Sequence, residues 1–345
     1  MSRGQPFVGN WTHLLTTDRL KRSSHVLTAI GDTLCIFGGE VTPRKPVDDD
    51  VDVLALPSDS CRHETQSASP APRPRVGSAA ALLGDRMYVY SGRGGADMSP
   101  LEEDGCVWNF DPETMTWYEI QPLSKSQPYA QPRSYHCMTS DGQTSLYIHA
   151  GCPAKDRLSD LWKFDLFSRS WLQLPDAPGP ARGGASIACH SGKLYRMNGF
   201  DGTTEQGGSL DIFDIDKNTW STRSWKPNGQ EGPEPRSVCA LLPLAINGKD
   251  ILVTMFGERD PSMQGHAGAG KMLDDVWVFD IATAKWARLD IFEGKGRPKP
   301  RGWFAADVLK RPGKQDAIVI HGGLNEDNER LGDVWKLDFE ANDAT

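Results

Sequence analysis

The amino-acid sequence predicts an all-β fold, a six-bladed β-propeller that is closed by an N-terminal strand in its last blade. Three observations favour this fold. An arginine-led strand pattern occurs six times, an apolar run ending in glycine follows each arginine, and four repeats carry an Asp and a Trp six residues apart. Repeats of about 50 residues that each hold several short apolar runs are typical of propeller blades.

An arginine precedes the first strand of each repeat. The arginines recur at intervals of 49 to 65 residues, and a short strand-like run follows each one. They are Arg22, Arg75, Arg133, Arg182, Arg236 and Arg301. The apolar runs of the second strands end in Gly38, Gly92, Gly151, Gly199, Gly257 and Gly322.

The third and fourth strands are marked by the paired Asp and Trp. The pairs are Asp111/Trp117, Asp165/Trp171, Asp214/Trp220 and Asp280/Trp286. Turn-forming residues lie between the members of each pair, so each predicts a hairpin in which the Asp accepts hydrogen bonds from turn amides. The Trp is then expected to pack between neighbouring blades.

The two ends of the chain complete one blade. The sixth repeat stops after Asp338 without a fourth strand, whereas Asn10–Leu14 near the N-terminus has the pattern of a fourth strand without a repeat of its own. Placing it in the last blade supplies the missing Trp as Trp11 and removes two exposed sheet edges. In the first repeat, Ala55 and Cys61 occupy the Asp and Trp positions.

We therefore expect a single domain over residues 1–345. The predicted blades span approximately 20–65, 73–121, 131–175, 180–224, 234–290, and 299–339 together with 9–15. Four strands per unit, glycine after the second strand and Trp in the fourth resemble the kelch-repeat blade.

Composition and charge exclude several classes of protein. The net charge of -8 argues against a general nucleic-acid or anionic-membrane surface. No apolar run approaches the roughly 20 residues of a membrane span, and the N-terminus has no apolar signal region. Seven cysteines without a CxxC pair predict a reduced chain in the cytoplasm.

The loops after the second strands are the candidate site, because equivalent loops of a propeller lie on one face. They include Glu40, Arg93, Arg157, Asp201, Glu258 and Asn325. The loop of the fifth repeat, from Glu258 to Asp275, is the longest, and long loops are often functional. We expect Arg93 and Arg157 to converge with it on one mouth, with pairing to Glu102, Glu103 or Asp160 as the structural alternative.

The long loop also carries a candidate metal site. Glu258, Asp260 and His266 fall within nine residues, and carboxylate and imidazole ligands suit iron, zinc or manganese. The alternative is a solvated loop that holds charges by chance. Trp303, on the sixth inner strand, either packs structurally or lines the channel.

Several segments resemble the plant specifier proteins, the kelch-propeller group of nitrile-specifier, epithiospecifier and thiocyanate-forming proteins. Arg22–His25, Phe37–Pro43 and Pro46–Asp50 resemble the family's first blade, Gly265–Gly270 its iron loop, and Arg301–Trp303 and Asn328–Asp333 its last blade.

The resemblance implies a site and a reaction. In that family Fe(II) is held by a Glu, an Asp and a His. The Glu and the His are eight residues apart, as Glu258 and His266 are here. The family's Asp position is Ser262 here, which leaves Asp260 as the nearby acid. Arg93 and Arg157 match the family's sulfate-binding arginines. The implied substrate is the thiohydroximate-O-sulfate that a myrosinase releases from a glucosinolate, and the implied product is a nitrile or related compound instead of an isothiocyanate.

Two other classes of function are weighed beside this iron-dependent lyase. A kelch propeller can act as a non-catalytic scaffold that binds a protein through its loops, although no BTB or F-box partner domain accompanies it here. Copper oxidase chemistry on a kelch-like propeller is disfavoured, since no Tyr–Cys–His set stands out.

Overall fold

The computed structural model describes residues 7–56, 61–264, 268–292, 294 and 296–341. Within these residues the chain is entirely β, with six sheets arranged as the blades of a propeller, as predicted. No helix in this part of the chain is long and apolar enough to cross a membrane.

Each of the first five blades is a four-stranded antiparallel sheet. From the channel outward, blade 1 consists of β2 (Val26–Ile30), β3 (Thr33–Phe37), β6 (Val51–Ala55) and β7 (Arg62–Gln66), and blade 2 of β8 (Ala79–Leu83), β9 (Arg86–Tyr90), β12 (Val107–Asp111) and β13 (Thr116–Ile120). Blade 3 consists of β14 (Cys137–Ser140), β15 (Ser145–His149), β16 (Leu161–Asp165) and β17 (Ser170–Leu174), and blade 4 of β18 (Ser186–His190), β19 (Lys193–Met197), β20 (Ser209–Asp214) and β21 (Thr219–Ser224). Blade 5 consists of β22 (Ala240–Ile246), β23 (Lys249–Met255), β26 (Val276–Asp280) and β27 (Lys285–Arg288).

The sixth blade has five strands, and three blades carry small hairpins after their second strands. The blade consists of β29 (Ala305–Leu309), β30 (Ala317–His321), β31 (Asp333–Ala341), β1 (Phe7–Thr16) and β28 (Asp290–Ile291). The hairpins are β4 (Glu40–Thr42) with β5 (Lys45–Pro46), β10 (Arg93–Gly94) with β11 (Ser99–Pro100), and β24 (Glu258–Arg259) with β25 (Lys271–Met272).

The N-terminal strand closes the ring as predicted. β1 pairs antiparallel with β31, which sets Trp11 opposite Leu337. Trp11 is only 2% exposed, and its ring centroid lies 6.0 Å from that of Phe256 in blade 5. β28, which the sequence did not predict, pairs in parallel with the outer edge of β1 and covers part of that edge.

The repeated arginines are structural. In blade 5, Arg236 is fully buried and donates from both terminal nitrogens to Asp275, at 2.5 and 2.9 Å, and to the carbonyl of Phe256 at 3.1 Å. Equivalent pairs with a carboxylate are Arg22–Asp52, Arg75–Glu103, Arg133–Asp160 and Arg301–Asp333. A carboxylate partner offsets the cost of burying the guanidinium in five of the six repeats. The remaining arginine, Arg182, donates instead to the backbone carbonyls of Pro180 and Asn198.

A closed ring of backbone hydrogen bonds joins the six blades at the neck of the channel. Its members are the residues two positions after each repeated arginine, and all have positive φ between 47° and 63°. They are Ser24, Gly77, Tyr135, Gly184, Val238 and Trp303. Each amide donates to the carbonyl of the preceding member, over 2.7 to 3.1 Å, and the amide of Ser24 donates to the carbonyl of Trp303. The residues that follow the ring line a channel cavity of about 610 Å³.

Candidate functional site

Six structurally equivalent residues open the loops on one face of the propeller. Each forms an antiparallel bridge with the residue directly after a repeated arginine. They are Glu40, Arg93, Cys152, Phe200, Glu258 and Leu324. Because the fold places them at the same height around the neck, they define the mouth that the repeat pattern predicted for these loops.

A cavity of about 370 Å³ opens at this mouth across blades 3 to 6. The predicted site residues Arg157, Glu258 and Trp303 line it together. Phe200 and Cys152, which sequence reasoning did not select, line it as well. The cavity therefore combines a cation and a carboxyl with aromatic walls, a composition typical of small-molecule sites.

Arg157 is held by the loop of blade 4. Its guanidinium carbon lies 5.1 Å from the centroid of the Phe200 ring, in a cation–π arrangement. A Cβ placed on Gly202, whose φ is +106°, would stand 2.6 Å from the Nη1 atom, so the backbone of this loop lies directly against the guanidinium. The Nε atom is buried and has no hydrogen-bond partner among the residues that the structure describes.

Arg93 lies beside the cavity rather than among its lining residues. Its Nε donates to the hydroxyl of Ser134 at 2.7 Å, and its guanidinium lies 5.8 Å from the centroid of the Tyr135 ring. Both arginines act electrostatically on Cys152, where they oppose the rise in the pKa of the thiol that burial causes. The guanidinium groups of Arg93 and Arg157 therefore both lie near the Cys152 thiol.

The predicted alternative partners of these arginines are engaged elsewhere. Glu103 binds Arg75, and Asp160 binds Arg133. No ion pair within the described residues involves Arg93 or Arg157. Two guanidinium groups without a carboxylate partner at a cavity favour an anionic ligand.

Glu258 and Asp260 have different surroundings. Glu258 is 4% exposed, lines the cavity and accepts a 2.8 Å hydrogen bond from the amide of Gly270; burial raises its pKa to about 7. The Asp260 side chain is 72% exposed and pairs with Arg259 at 3.3 Å. His266 lies outside the described residues, and the residues that are described contain no group of three His, Cys, Asp or Glu able to hold a metal.

Glu205 is a carboxyl that sequence reasoning missed. It accepts a 3.2 Å hydrogen bond from the Ser237 hydroxyl through Oε1, while its buried Oε2 has no partner among the described residues. Burial, with a smaller contribution from the negative charge of Glu258, raises its pKa to about 8. Glu205 follows Phe200 by five residues, as Arg157 follows Cys152, so the repeat register could have selected it.

The architecture and the mouth define the class of protein, a kelch-type propeller with a charged cavity on one face. Residues 24–257 match the family model described as the KLHDC2/KLHL20/DRC7 Kelch-repeats domain. The chain therefore belongs to the kelch-repeat family. A solved structure titled "Structure of YjhT" shares the fold, with a TM-score of 0.69 at 13% identity over 95% of this chain and 99% of that one.

One relative confirms the predicted family resemblance. An N-(sulfonatooxy)prop-2-enimidothioate sulfolyase of Thlaspi arvense is 31% identical over 352 aligned residues, covering 94% of each chain. A leucine-zipper-like transcriptional regulator 1 homolog of Drosophila melanogaster is 23% identical over 96% of this chain, but only 32% of its own length is matched. An Adagio-like protein 1 of rice is 28% identical over 90% of this chain and 47% of its own length.

Proposed function

We propose that this chain is a specifier-type sulfolyase, which binds a sulfated thiohydroximate and directs its breakdown to a nitrile or a related product. The observation that carries the proposal is a pair of arginines that form no ion pair with any described carboxylate, beside a cavity that also contains a buried carboxyl. The sulfolyase of Thlaspi arvense, similar over nearly the whole chain, supports the same class of substrate.

The arginines account for recognition of the sulfate. A guanidinium presents a planar set of donors that matches the oxygens of a sulfate, and the faces of Phe200 and Tyr135 leave the edges of Arg157 and Arg93 available. The aromatic wall formed by Phe200 and Trp303 then takes the organic part of the substrate.

We further propose Fe(II) as the cofactor, with Glu258 and His266 as ligands. The donor set fits a divalent cation, because Glu258 is buried at the cavity with one backbone amide as its described hydrogen-bond donor. Ser262 occupies the family's position for the third ligand, and the nearby acid that we predicted in its place, Asp260, has an exposed side chain. A ferrous ion would supply a Lewis acid for the thiolate sulfur of the substrate.

The chemistry of the substrate explains why these groups suffice. Conversion to a nitrile breaks the C–S bond and the N–O bond of the sulfated thiohydroximate. Sulfate departs with the electron pair of the N–O bond, the C–S pair enters the C≡N bond, and one sulfur atom is released, so total charge is unchanged. Arg93 and Arg157 would stabilise the charge that develops on the departing sulfate.

The test is product analysis in a coupled reaction. A glucosinolate and a myrosinase generate the unstable substrate, and the purified chain is added with Fe(II) under anaerobic conditions. We expect the nitrile fraction to rise with protein concentration and to return to the protein-free value when a chelator is added. An unchanged isothiocyanate yield at every protein concentration would refute the proposal.

The seven free cysteines support a cytoplasmic location.

A non-catalytic scaffold remains the second candidate, and a different surface favours it. Leu123, Phe167 and Leu172 are exposed apolar residues, and the amide of Leu123 donates to the carbonyl of Arg169, next to the turn that carries Phe167. Exposed apolar groups of this kind occur at protein interfaces. Under this alternative, Phe167→Ser would abolish binding of a protein partner and the coupled product assay would show no nitrile.

A further inference from the structure

Two carboxyl side chains from different blades, the buried Glu258 and the half-buried Glu205, meet at the mouth through Ser237. The hydroxyl of Ser237 donates to Glu205 at 3.2 Å. The backbone of Ser237 exchanges two hydrogen bonds with Glu258, both of 2.9 Å. The charge of Glu258 is among the causes that raise the pKa of Glu205, as expected for neighbouring carboxyls.

This pair has no positive partner among the described residues. Other buried acids in the propeller, such as Asp52, Asp211 and Asp275, are each bound by a buried arginine. Glu205 and Glu258 receive their described hydrogen bonds only from neutral donors, a hydroxyl and a backbone amide. Two carboxylates that have lost much of their solvent and have no counter-charge are costly, and a divalent cation supplies that charge.

The orphaned oxygen shows where such a cation would be bound. Within the part of the chain that the structure describes, the buried Glu205 Oε2 atom has no hydrogen-bond partner, whereas the carboxylate of Asp260 is exposed to solvent and paired with Arg259. The loop position that the family pattern assigns to an acid holds Ser262 in this chain. Apart from Glu258, the long loop therefore brings no described carboxylate to the cavity, and a carboxyl from the adjacent blade lies beside Glu258.

We propose that Glu205 is a ligand of the divalent cation bound by Glu258, in place of Asp260. The inference rests on the proposed function only for the existence of a cation at Glu258. It also links the two halves of the site, because Glu205 is bridged across its loop to Phe200, whose ring supports Arg157. Cation binding at Glu205 would therefore fix the loop that positions the anion-binding arginine.

The proposal is tested by anaerobic titration of the full-length apo protein with Fe(II). A separate titration with Mn(II) is monitored by electron paramagnetic resonance. The variants are Glu205→Gln, Glu258→Gln and Asp260→Asn, the last a matched removal of an exposed charge from the same neighbourhood. We expect the first two to weaken binding by at least about tenfold, as loss of a direct ligand should, and Asp260→Asn to stay within about twofold. Ser237→Ala, which keeps the charge but removes the orienting hydrogen bond, should weaken binding by an intermediate factor.

The outcomes separate the two claims. Weak binding in Glu258→Gln with unchanged binding in Glu205→Gln would overturn the role of Glu205 and leave the cation site in place. Unchanged binding in both would overturn the cation site itself, and with it the cofactor in the proposed function. Melting temperatures of the apo variants close to that of the wild type establish that weak binding is not unfolding.

Discussion

At the scale of single residues, we predict that the aromatic supports of the arginines determine how well an anion is held. Phe200 contacts Arg157 through a cation–π arrangement, so Phe200→Ala should leave the arginine present but free to move. Loss of a cation–π interaction worth about 0.5–2 kcal/mol should raise the KM for a sulfated substrate two- to thirtyfold, with a smaller effect on kcat. Steady-state kinetics in the coupled assay measure both constants.

Phe167→Ala is the control for this prediction, since Phe167 is an exposed phenylalanine in the turn between β16 and β17 and does not line the cavity. It should retain wild-type constants. Equal KM values for wild type and Phe200→Ala would show that the aromatic face does not position Arg157.

The residue scale is also where sequence reasoning was least complete. Arg157, Glu258 and Trp303 could be selected because charge and aromatic type stood out at repeated positions. Cys152, Phe200 and Glu205 were missed, because an ordinary residue gains its role only when loops of different blades meet. The repeat register would have identified all three, but neither the burial of the Glu205 Oε2 atom nor the exposure of Asp260 is visible in the sequence.

At the scale of the blade, the buried arginine–carboxylate pairs hold the first strand to the third. Removing the carboxylate in Asp275→Asn leaves Arg236 buried without a counter-charge. Breaking a buried pair in this way typically costs about 3–5 kcal/mol. Chemical denaturation should show that loss, whereas Asp274→Asn, at the neighbouring, partly exposed carboxylate, should change stability by less than about 1 kcal/mol. Similar losses in both variants would refute a special role for the buried pair.

The seam between blades 6 and 1 contains a group whose titration should alter stability. Asp307 on β29 accepts hydrogen bonds from the amides of Ala29 on β2 and of Val308, and burial raises its pKa to about 6. Because the pKa of Asp307 is higher in the folded than in the unfolded state, its contribution to the free energy of unfolding is fully present below about pH 4, near the pKa in the unfolded state. This contribution is lost as the pH rises through about 6.

The measurement is urea denaturation of wild type and Asp307→Asn at several pH values. Because the two pKa values differ by about two units, the free energy of unfolding of wild type relative to the variant should fall by about 2–3 kcal/mol between pH 4 and pH 7. A difference that is independent of pH would show that Asp307 titrates normally.

Blade architecture was largely predictable because its signals are local. Arginine, glycine and the spaced Asp and Trp recur at fixed strand positions, and the sheets follow them in all six repeats. The parallel strand Asp290–Ile291 was not predictable, because two residues carry no periodicity and their pairing depends on the position of β1. The two short strands near the ends of the long loop of repeat five pair with each other as a hairpin, which the Gly-rich sequence did not indicate.

At the scale of the whole molecule, one strand from the N-terminus closes the ring. Deleting residues 1–15 removes Trp11 and most of the pairing with β31, leaving an open sheet edge in blade 6. Loss of a buried Trp alone costs about 3–5 kcal/mol, so the truncated chain should melt at a much lower temperature and aggregate. Trp11→Phe, which keeps the strand, should lose less stability. A truncated chain that melts like the full one would show that the ring does not depend on this strand.

The central claim is that the mouth of this propeller binds a sulfated substrate through Arg157. The most direct test is the ratio of nitrile to isothiocyanate produced with wild type, Arg157→Ala, Arg157→Lys and a surface control, Arg223→Ala, on the exposed outer strand of blade 4. We predict that Arg157→Ala lowers nitrile formation by about 10- to 100-fold, that lysine restores little because the planar donor set is lost, and that Arg223→Ala matches wild type. Nitrile formation by Arg157→Ala at the wild-type ratio would contradict the account.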